Sequence, residues 1–282
     1  MTDDLDDSVV LRRILVAVDT SSHSLAALEA AATIARKMEA DIHGLFVQDE
    51  IWEKLSRLPS IATINELTGE TKSLEEKNLE KQVEQQKKRL RRHLKTISRE
   101  HNISYHWDTV QGRVVDEILR AAESADLITI GRRGHSFPEK KKLGSSAKAI
   151  IRLTNKPILL LKKGLKLGNP ITVVYDASEE SERCLQLGLS LAKKNDSTLT
   201  ILVLDNNSDS SQKRNTQLEK MVDSAQVSVK VQLFQNPNIW GLTHAVNRRD
   251  SGLLIIPRHQ PLLQDELESI IYMLKCPLLL MT

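Results

Sequence analysis

Residues 14–19 read Ile-Leu-Val-Ala-Val-Asp, an apolar run that ends at Asp19. Residues 171–176 read Ile-Thr-Val-Val-Tyr-Asp, so the pattern returns 157 residues later and ends at Asp176. Nearly continuous apolar runs of this length are typical of parallel strands that are buried on both faces of a sheet. Two of them in a chain of 282 residues indicate an internal repeat.

Further matches extend the repeat along the chain. The aligned pairs, with offsets that fall from 156 to 120, are Val47 with Val203, Gln111 with Gln235, Ile130 with Ile256 and Pro157 with Pro277. The falling offset indicates that about 32 residues are missing from the second copy after its second strand. A linker over residues 162–169, rich in glycine, separates the copies. We therefore predict domains at residues 1–163 and 170–282.

Strand-like runs alternate with helical patterns in each copy. In the first copy the predicted strands are 14–18, 42–47, 104–110, 127–130 and 157–161, and helical spacing predicts helices over 24–37 and 114–122. Strand, helix and strand in series give a parallel sheet with right-handed crossovers. The predicted class is therefore α/β, with ligand chemistry at the carboxyl ends of the strands.

Composition restricts the function classes. Forty Lys and Arg against 37 Asp and Glu leave a net charge of +3, which is too slight to indicate a nucleic-acid partner. Cys184 and Cys276 are too few for a disulfide framework and fit a reducing compartment. The start of the chain is acidic where a signal peptide would be basic, and the apolar runs are too short to span a bilayer. We expect a cytoplasmic protein without membrane insertion.

A glycine-rich loop follows the strand that ends at Ile130. Residues 131–146 read Gly-Arg-Arg-Gly-His-Ser-Phe-Pro-Glu-Lys-Lys-Lys-Leu-Gly-Ser-Ser, and a helical pattern follows. Glycines allow backbone amides to approach an anion, a helix start favours phosphate, and Arg132 adds positive charge. The alternative is a surface loop in which Ser145 or Ser146 is a plain N-cap. The loop matches neither a P-loop nor the Rossmann glycine pattern.

The spacing Gly, two residues, Gly, nine residues, Gly-Ser-Ser resembles the ATP-binding pattern of the universal stress protein family. The Val-Asp-Thr-Ser end of the first strand and the last strand, Lys-Pro-Ile-Leu-Leu-Leu, are similar to the same family. The resemblance covers residues 11–163 and, more weakly, the second copy. It implies two open parallel five-stranded sheets with helices on both faces. It also implies that the copies pair about a pseudo-twofold axis, with residues 158–161 beside 278–281.

The resemblance also implies a binding site for ATP. Asp19 would contact the adenosine portion, and the backbone near Val47 would meet adenine. The residues expected to hold ribose and phosphates are Gly131, Gly134, Gly144, Ser145 and Ser146, with Arg132 beside them. Whether Mg²⁺ accompanies ATP is left open. Asp19 has an alternative role, as the N-cap of the helix that follows it.

The second copy departs from this pattern. Pro257 and Gln260 fall opposite Gly131 and Gly134, and Gln264-Asp265-Glu266 falls opposite Gly144-Ser145-Ser146. Carboxylates a few ångströms from a phosphate repel it. We therefore predict one nucleotide per chain, in the first copy.

The segment from Thr71 to His101 is the other distinctive feature. Apolar residues recur in it at helical spacing, which predicts an amphipathic helix with a basic outer face. Nucleic acid or an anionic membrane could bind there, but the segment has no aromatic residue, which favours a solvated face. Residues 51–69 before it could form a lid or a partner contact. His101 and His106 have no carboxylate at ligand spacing and are interpreted as ordinary histidines.

These features favour an ATP-binding stress-response protein whose nucleotide acts as a conformational or partner-binding signal, with a protein partner that the residues do not identify. One alternative is an ATPase or phosphotransferase. The absence of an evident general base and of a metal-holding Asp/Ser pair weighs against an enzyme. A second alternative is a scaffold that does not depend on nucleotide.

Overall fold

A computed structural model describes residues 10–50, 62–64, 71–73, 76–132, 143–205, 218–219, 221–223, 225–235, 237–264 and 266–282. The strands are β1 (Arg13–Ala17), β2 (Asp41–Asp49), β3 (Ala62–Ile64), β4 (Thr71–Ser73), β5 (Tyr105–Gly112), β6 (Leu127–Gly131), β7 (Ile158–Leu161), β8 (Ile171–Tyr175), β9 (Leu199–Asp205), β10 (Val229–Gln235), β11 (Leu253–Pro257) and β12 (Leu278–Met281). The helices are α1 (Ser22–Met38), α2 (Glu76–His101), α3 (Val114–Ala122), α4 (Ser145–Leu153), α5 (Glu179–Lys194), α6 (Ile239–Arg248) and α7 (Leu267–Met273).

Ten of these strands form one sheet, in the order β10-β9-β8-β11-β12-β7-β6-β1-β2-β5. Neighbouring strands run parallel except at the centre, where β7 and β12 pair antiparallel. The α/β class and the pairing of the two terminal strands are confirmed. Each half has the five parallel strands that were predicted, and hydrogen bonds between β7 and β12 join the two halves into one continuous sheet.

The two halves have the same strand register. Ile14 pairs with Ile42 in the first half as Ile171 pairs with Leu199 in the second. The register corrects one alignment. Val47 pairs with Val110 in the first half, and the equivalent pair in the second half is Leu204 with Phe234. Val47 therefore corresponds to Leu204 and not to Val203. A slip of one residue reverses the face of a strand, and Val203 packs on the other face from Leu204.

A pseudo-twofold axis passes between β7 and β12. Leu159 and Leu279, which occupy equivalent positions, pair directly with each other. The equivalent positions 148 and 268 also meet, because Lys148 Nζ lies 2.6 Å from Glu268 Oε1. Residues that lie on such an axis contact their own equivalents, as in an isologous dimer.

Helices cover both faces of the sheet. Helices α1, α2 and α5 pack on one face, whereas α3, α4, α6 and α7 pack on the other. Helix α1 begins after Ser21, whose Oγ accepts a hydrogen bond from the backbone N–H of Ser24. Among the residues that the structure describes, no helix is both long and apolar enough to cross a bilayer.

Helix α2 is shorter than predicted. It begins at Glu76, because Thr71–Ser73 forms a strand that pairs antiparallel with Ala62–Ile64. Its apolar stripe is confirmed, since Leu90, Leu94 and Ile97 are each at most 2% exposed. Apart from Ala62–Ile64, the suggested lid over residues 51–69 lies outside the described residues.

Candidate functional site

The order of the strands defines one crevice in the first half. Strand β1 has β2 on one side and β6 on the other, and α1 and α3 lie on opposite faces of the sheet. In open α/β sheets such a switch in strand order separates the loops at the carboxyl ends of the strands and leaves a crevice there. Asp19 follows β1 and Gly131 ends β6, so both residues flank it.

Asp19 is half-buried at the mouth of the crevice. Its Oδ1 accepts a hydrogen bond from the backbone N–H of Ser21 at 2.8 Å, and its own backbone N–H donates to Ser24 Oγ at 2.8 Å. The alternative role of Asp19 as N-cap is wrong, because Ser21 caps α1. Within the described residues, Asp19 Oδ2 accepts no hydrogen bond from the protein and can accept one from a hydroxyl group of a ligand.

Gly131 allows a close approach of α1 to β6. A Cβ atom at this position would lie 2.7 Å from the backbone carbon of His23 and 2.8 Å from the nitrogen of Ser24. Both atoms belong to the start of α1, which could not move without losing its packing. The glycine therefore keeps the start of α1 beside the crevice.

Helix α4 points its N-terminus toward the loop that leaves β6. Gly144 is the N-cap residue, without a side-chain cap, and its N–H donates to the carbonyl of Arg132 at 3.0 Å. Ser145 is exposed and Ser146 is half-buried in the first turn. The N–H groups of a first helical turn lack intrahelical partners and attract anions. Gly144, Ser145 and Ser146 thus lie together at the N-terminus of α4, where the N–H groups of Ser145 and Ser146 lack an intrahelical partner.

Val47 lies on the opposite side of the crevice. The carbonyl of Leu45 accepts a hydrogen bond from the N–H of Val18 at 2.9 Å, so the polar backbone groups of Leu45 face β1. Those of Val47, two residues further along, face the same way. The β1–β2 pairing extends to Ala17 with Leu45, so β2 continues past it and presents a backbone edge to the crevice. A flat, polar ring such as adenine can bind to such an edge.

Arg132 does not match its predicted role. Its side chain is 3% exposed, Nη1 donates to the carbonyl of Ile271 at 3.2 Å, and the guanidinium lies 5.5 Å from the ring centre of Tyr272. Ile271 and Tyr272 belong to α7 in the second half. The equivalent Arg258 donates to the carbonyls of Thr154 and Ile151 in the first half. Arg132 therefore joins the two halves, and we remove it from the candidate site.

Gly134 lies outside the described residues, as does the rest of the loop from 133 to 142. Its predicted contact with the nucleotide stays a prediction.

Helix α2 contributes positive charge beside the crevice. A cavity of about 350 Å³ lies between α1 and α2, and Thr20, the residue after Asp19, lines it. Arg89, Arg92 and His93 of α2 line the same cavity. The basic face of α2 thus reaches the loop that follows β1.

The equivalent crevice of the second half is closed by a side chain. Asp176 Oδ1 accepts hydrogen bonds from the backbone N–H of Ser178 at 2.9 Å and from its hydroxyl at 2.6 Å. Asp176 Oδ2 accepts one from Nε2 of Gln260 at 2.7 Å. Gln260 is 3% exposed and was aligned with Gly134. Both oxygens that a ligand would need are therefore bound within the protein.

Comparison with known proteins identifies the family of the first half. The model of the universal stress protein family matches residues 11–162. The chain belongs to the universal stress protein family. A universal stress protein of Methanocaldococcus jannaschii is 29% identical over 157 residues, which cover 55% of this chain and 84% of that protein.

Solved structures share the fold over nearly the whole chain. The universal stress protein of Archaeoglobus fulgidus gives a TM-score of 0.72 at 18% identity, and the match covers 95% of this chain and 97% of that one. A functionally unknown protein of Pseudomonas aeruginosa gives 0.57 at 14% identity, with 96% and 92% covered. At these identities the likeness establishes the fold alone.

The two cysteines offer no nucleophile. Both are buried, and burial raises the pKa of Cys184 well above its usual range and that of Cys276 to about 12. Thiolate, the reactive form, is therefore scarce at neutral pH.

The interpretation of His106 as an ordinary histidine without a carboxylate partner is wrong. His106 Nε2 lies 3.0 Å from Asp108 Oδ1, and His43 Nε2 lies 2.8 Å from Asp108 Oδ2. Positions 106 and 108 share a strand face, a signal that the sequence contains. His43 comes from the adjacent strand, and placing it there requires the register.

Proposed function

We propose that this protein binds ATP in the crevice of its first half and acts in stress response, with the bound nucleotide as a conformational or partner-binding signal. Asp19 Oδ2 would accept a hydrogen bond from a ribose hydroxyl, and the backbone edge at Val47 would meet adenine. The N–H groups of Ser145 and Ser146 in the first turn of α4 would hold the phosphates, and Gly144, which has no side chain, would let the phosphates approach. Mg²⁺ would accompany the triphosphate as its counterion.

One observation carries the proposal: equivalent aspartates have opposite environments. Asp19 retains an oxygen without a hydrogen bond from any described residue, whereas Gln260 occupies that position at Asp176. A polar atom at the mouth of a crevice that the protein leaves available favours a ligand there. The proposed site is therefore in the first half, with one nucleotide per chain.

We further propose that residues 170–282 are a second, degenerate domain of the same family, after a first domain at residues 1–163. The repeated strand registers and the pseudo-twofold pairing of β7 with β12 support this. In this arrangement the second domain takes the place of a dimer partner. Its role is to cover the terminal strand of the first domain rather than to bind nucleotide.

Calorimetric titration of the full chain with Mg·ATP tests the proposal. We expect one nucleotide per chain. In Gly144→Asp, the new carboxylate accepts the N–H groups of the first turn of α4 and repels phosphate. The affinity should fall at least tenfold, about 1.4 kcal/mol, while the folding stability is retained or rises.

The matched control is Gln264→Asp, which adds the same charge at the equivalent, exposed position before α7. Its ATP affinity should equal that of the wild type. A stoichiometry near two, or an unchanged affinity in a folded Gly144→Asp protein, would overturn the proposed site.

A further inference from the structure

Three potential metal ligands meet on the edge of the sheet in the first half. Strands β2 and β5 run parallel, with His43 opposite His106 and Leu45 opposite Asp108. Residues two apart on a strand share a face, so His106 and Asp108 lie on the same face as their neighbour His43. One ligand atom of each residue lies within 4.8 Å of the other two.

The detailed geometry brings both imidazoles to one carboxylate. His43 Nε2 and His106 Nε2 each lie within 3.0 Å of a different oxygen of Asp108, and the two rings are 5.4 Å apart. In a tetrahedral zinc site with bonds of about 2.0 Å, neighbouring ligand atoms are roughly 3.3 Å apart. Side-chain rotations that shorten the longest of these separations by at most about 1.5 Å would therefore convert the hydrogen-bonded trio into a coordination sphere.

The three side chains differ in exposure in a way that suits an open metal site. His43 is 12% exposed and fixed within the sheet face, whereas Asp108 is 43% exposed and His106 71% exposed. The buried imidazole provides a rigid anchor, and the two exposed groups can move to close around an ion. Solvent reaches the trio and can supply the remaining ligand.

We propose that His43, His106 and Asp108 bind a divalent transition-metal ion of the Zn²⁺ type, with water at the remaining position. Two imidazoles and one carboxylate suit ions such as Zn²⁺, whereas Mg²⁺ and Ca²⁺ prefer oxygen ligands throughout. Surface hydrogen bonds between histidine and aspartate alone would contribute little to stability.

This site is distinct from the nucleotide crevice. His43 precedes Val47 by four residues on β2, which places the backbone of His43 about 13 Å along the strand from that of Val47. Zinc binding therefore does not require an intact phosphate site, and Gly144→Asp should bind Zn²⁺ as the wild type does.

The test is calorimetric titration of the chelator-treated full chain with Zn²⁺, without nucleotide, together with the visible absorption of bound Co²⁺. We expect one strongly bound ion. His106→Ala and Asp108→Asn should each weaken binding at least tenfold and abolish the Co²⁺ absorption of a low-symmetry site. Both residues are substantially exposed, so circular dichroism should report an unchanged fold.

A matched control separates this site from incidental binding by exposed histidines. His259 is 72% exposed and contacts the carboxylate of Glu180, but it belongs to no group of three potential ligands within the described part of the chain. His259→Ala should leave the Zn²⁺ affinity unchanged. Absence of Zn²⁺ binding, binding that survives both His106→Ala and Asp108→Asn, or displacement of Zn²⁺ by excess Mg²⁺ would overturn the proposal.

Discussion

The two crevices of this protein have the same arrangement of strands and differ in the side chains that surround their aspartates. In the first half Asp19 Oδ2 accepts no hydrogen bond from any described residue, whereas in the second half Gln260 donates to the equivalent oxygen of Asp176. The strand registers around both sites are the same. The fold therefore preserves the position of the aspartate, and we propose that the side chain of Gln260 prevents a ligand from binding at Asp176.

The seam between the halves shows the opposite behaviour. Leu159 pairs with Leu279, and each half sends an arginine, Arg132 or Arg258, to a backbone carbonyl of the other. A contact across an axis uses both copies at once, so a change in one copy alters the surroundings of both. The leucine pair and the two arginines are thus the same in both halves, whereas the surroundings of the two aspartates differ.

The largest expected effect tests the symmetry of the seam. Leu159→Ala and Leu279→Ala each remove a fully buried side chain from the same contact. Each should lower the free energy of unfolding by about 3 kcal/mol, and the two losses should be similar. Urea unfolding followed by circular dichroism measures both. A loss in one variant that is less than half of the other would contradict a symmetric seam.

The next effect tests the close approach at the first crevice. In Gly131→Ala the new Cβ meets backbone atoms of His23 and Ser24, which should cost about 2 kcal/mol of stability. Gly112→Ala is the control, because the three atoms nearest to its new Cβ all belong to the side chain of Glu117, which can rotate away. Thermal unfolding of the two variants should show a clearly larger decrease for Gly131→Ala; equal decreases would show that α1 can move.

Sequence reasoning found the elements that depend on local pattern. Apolar runs ending at Asp19 and Asp176 located β1 and β8, and proline-led runs located β7 and β12. Their pairing was implied by the resemblance to the universal stress protein family, and the exposed edge that either strand would otherwise leave supported it. Strands of this kind can be predicted because their apolar pattern is local in the sequence.

Prediction from the sequence failed where the partner of a side chain comes from a distant part of the chain. Arg132 fits a basic loop by composition, yet its Nη1 donates a hydrogen bond to the carbonyl of Ile271, which is 139 residues away in the sequence. His106 and Asp108 are visible as a spaced pair, but His43 joins them only through the β2–β5 register. The alignment of Val47 with Val203 is wrong by one residue, because a continuous apolar run does not show which of its side chains point to each face of the sheet.

A smaller effect compares the two aspartates directly. Asp176→Asn places an amide donor among the three donors from Ser178 and Gln260, which should cost about 1 kcal/mol. Asp19→Asn retains an amide oxygen for the N–H of Ser21 and should change stability by less than about 0.5 kcal/mol. Chemical denaturation of both variants checks the difference. If Asp19→Asn lowered the stability more than Asp176→Asn, the protein would hold the carboxylate of Asp19 more strongly than that of Asp176, which would contradict the difference between the two sites.

The smallest effect concerns Lys148 and Glu268, the equivalent residues that meet on the pseudo-twofold axis. A residue on such an axis meets its own copy when two identical halves pair, so two first halves would bring Lys148 against Lys148. Pairing within the chain brings lysine against glutamate instead. The pair is about half exposed, so its contribution should be about 0.5 kcal/mol and should disappear at high salt.

The charge swap separates this effect from simple loss of a side chain. Lys148→Glu alone places two carboxylates on the axis and should lower stability by about 0.5 to 1 kcal/mol, whereas the double variant Lys148→Glu with Glu268→Lys should recover most of the loss. Unfolding in low and high salt measures both. Recovery in the double variant would establish that opposite charge on the axis favours the intramolecular pairing, because the swap changes neither the size nor the number of charged groups. If the double variant stays as unstable as the single one, the contact contributes through packing, and the preference for pairing within the chain must come from the seam of β7 and β12.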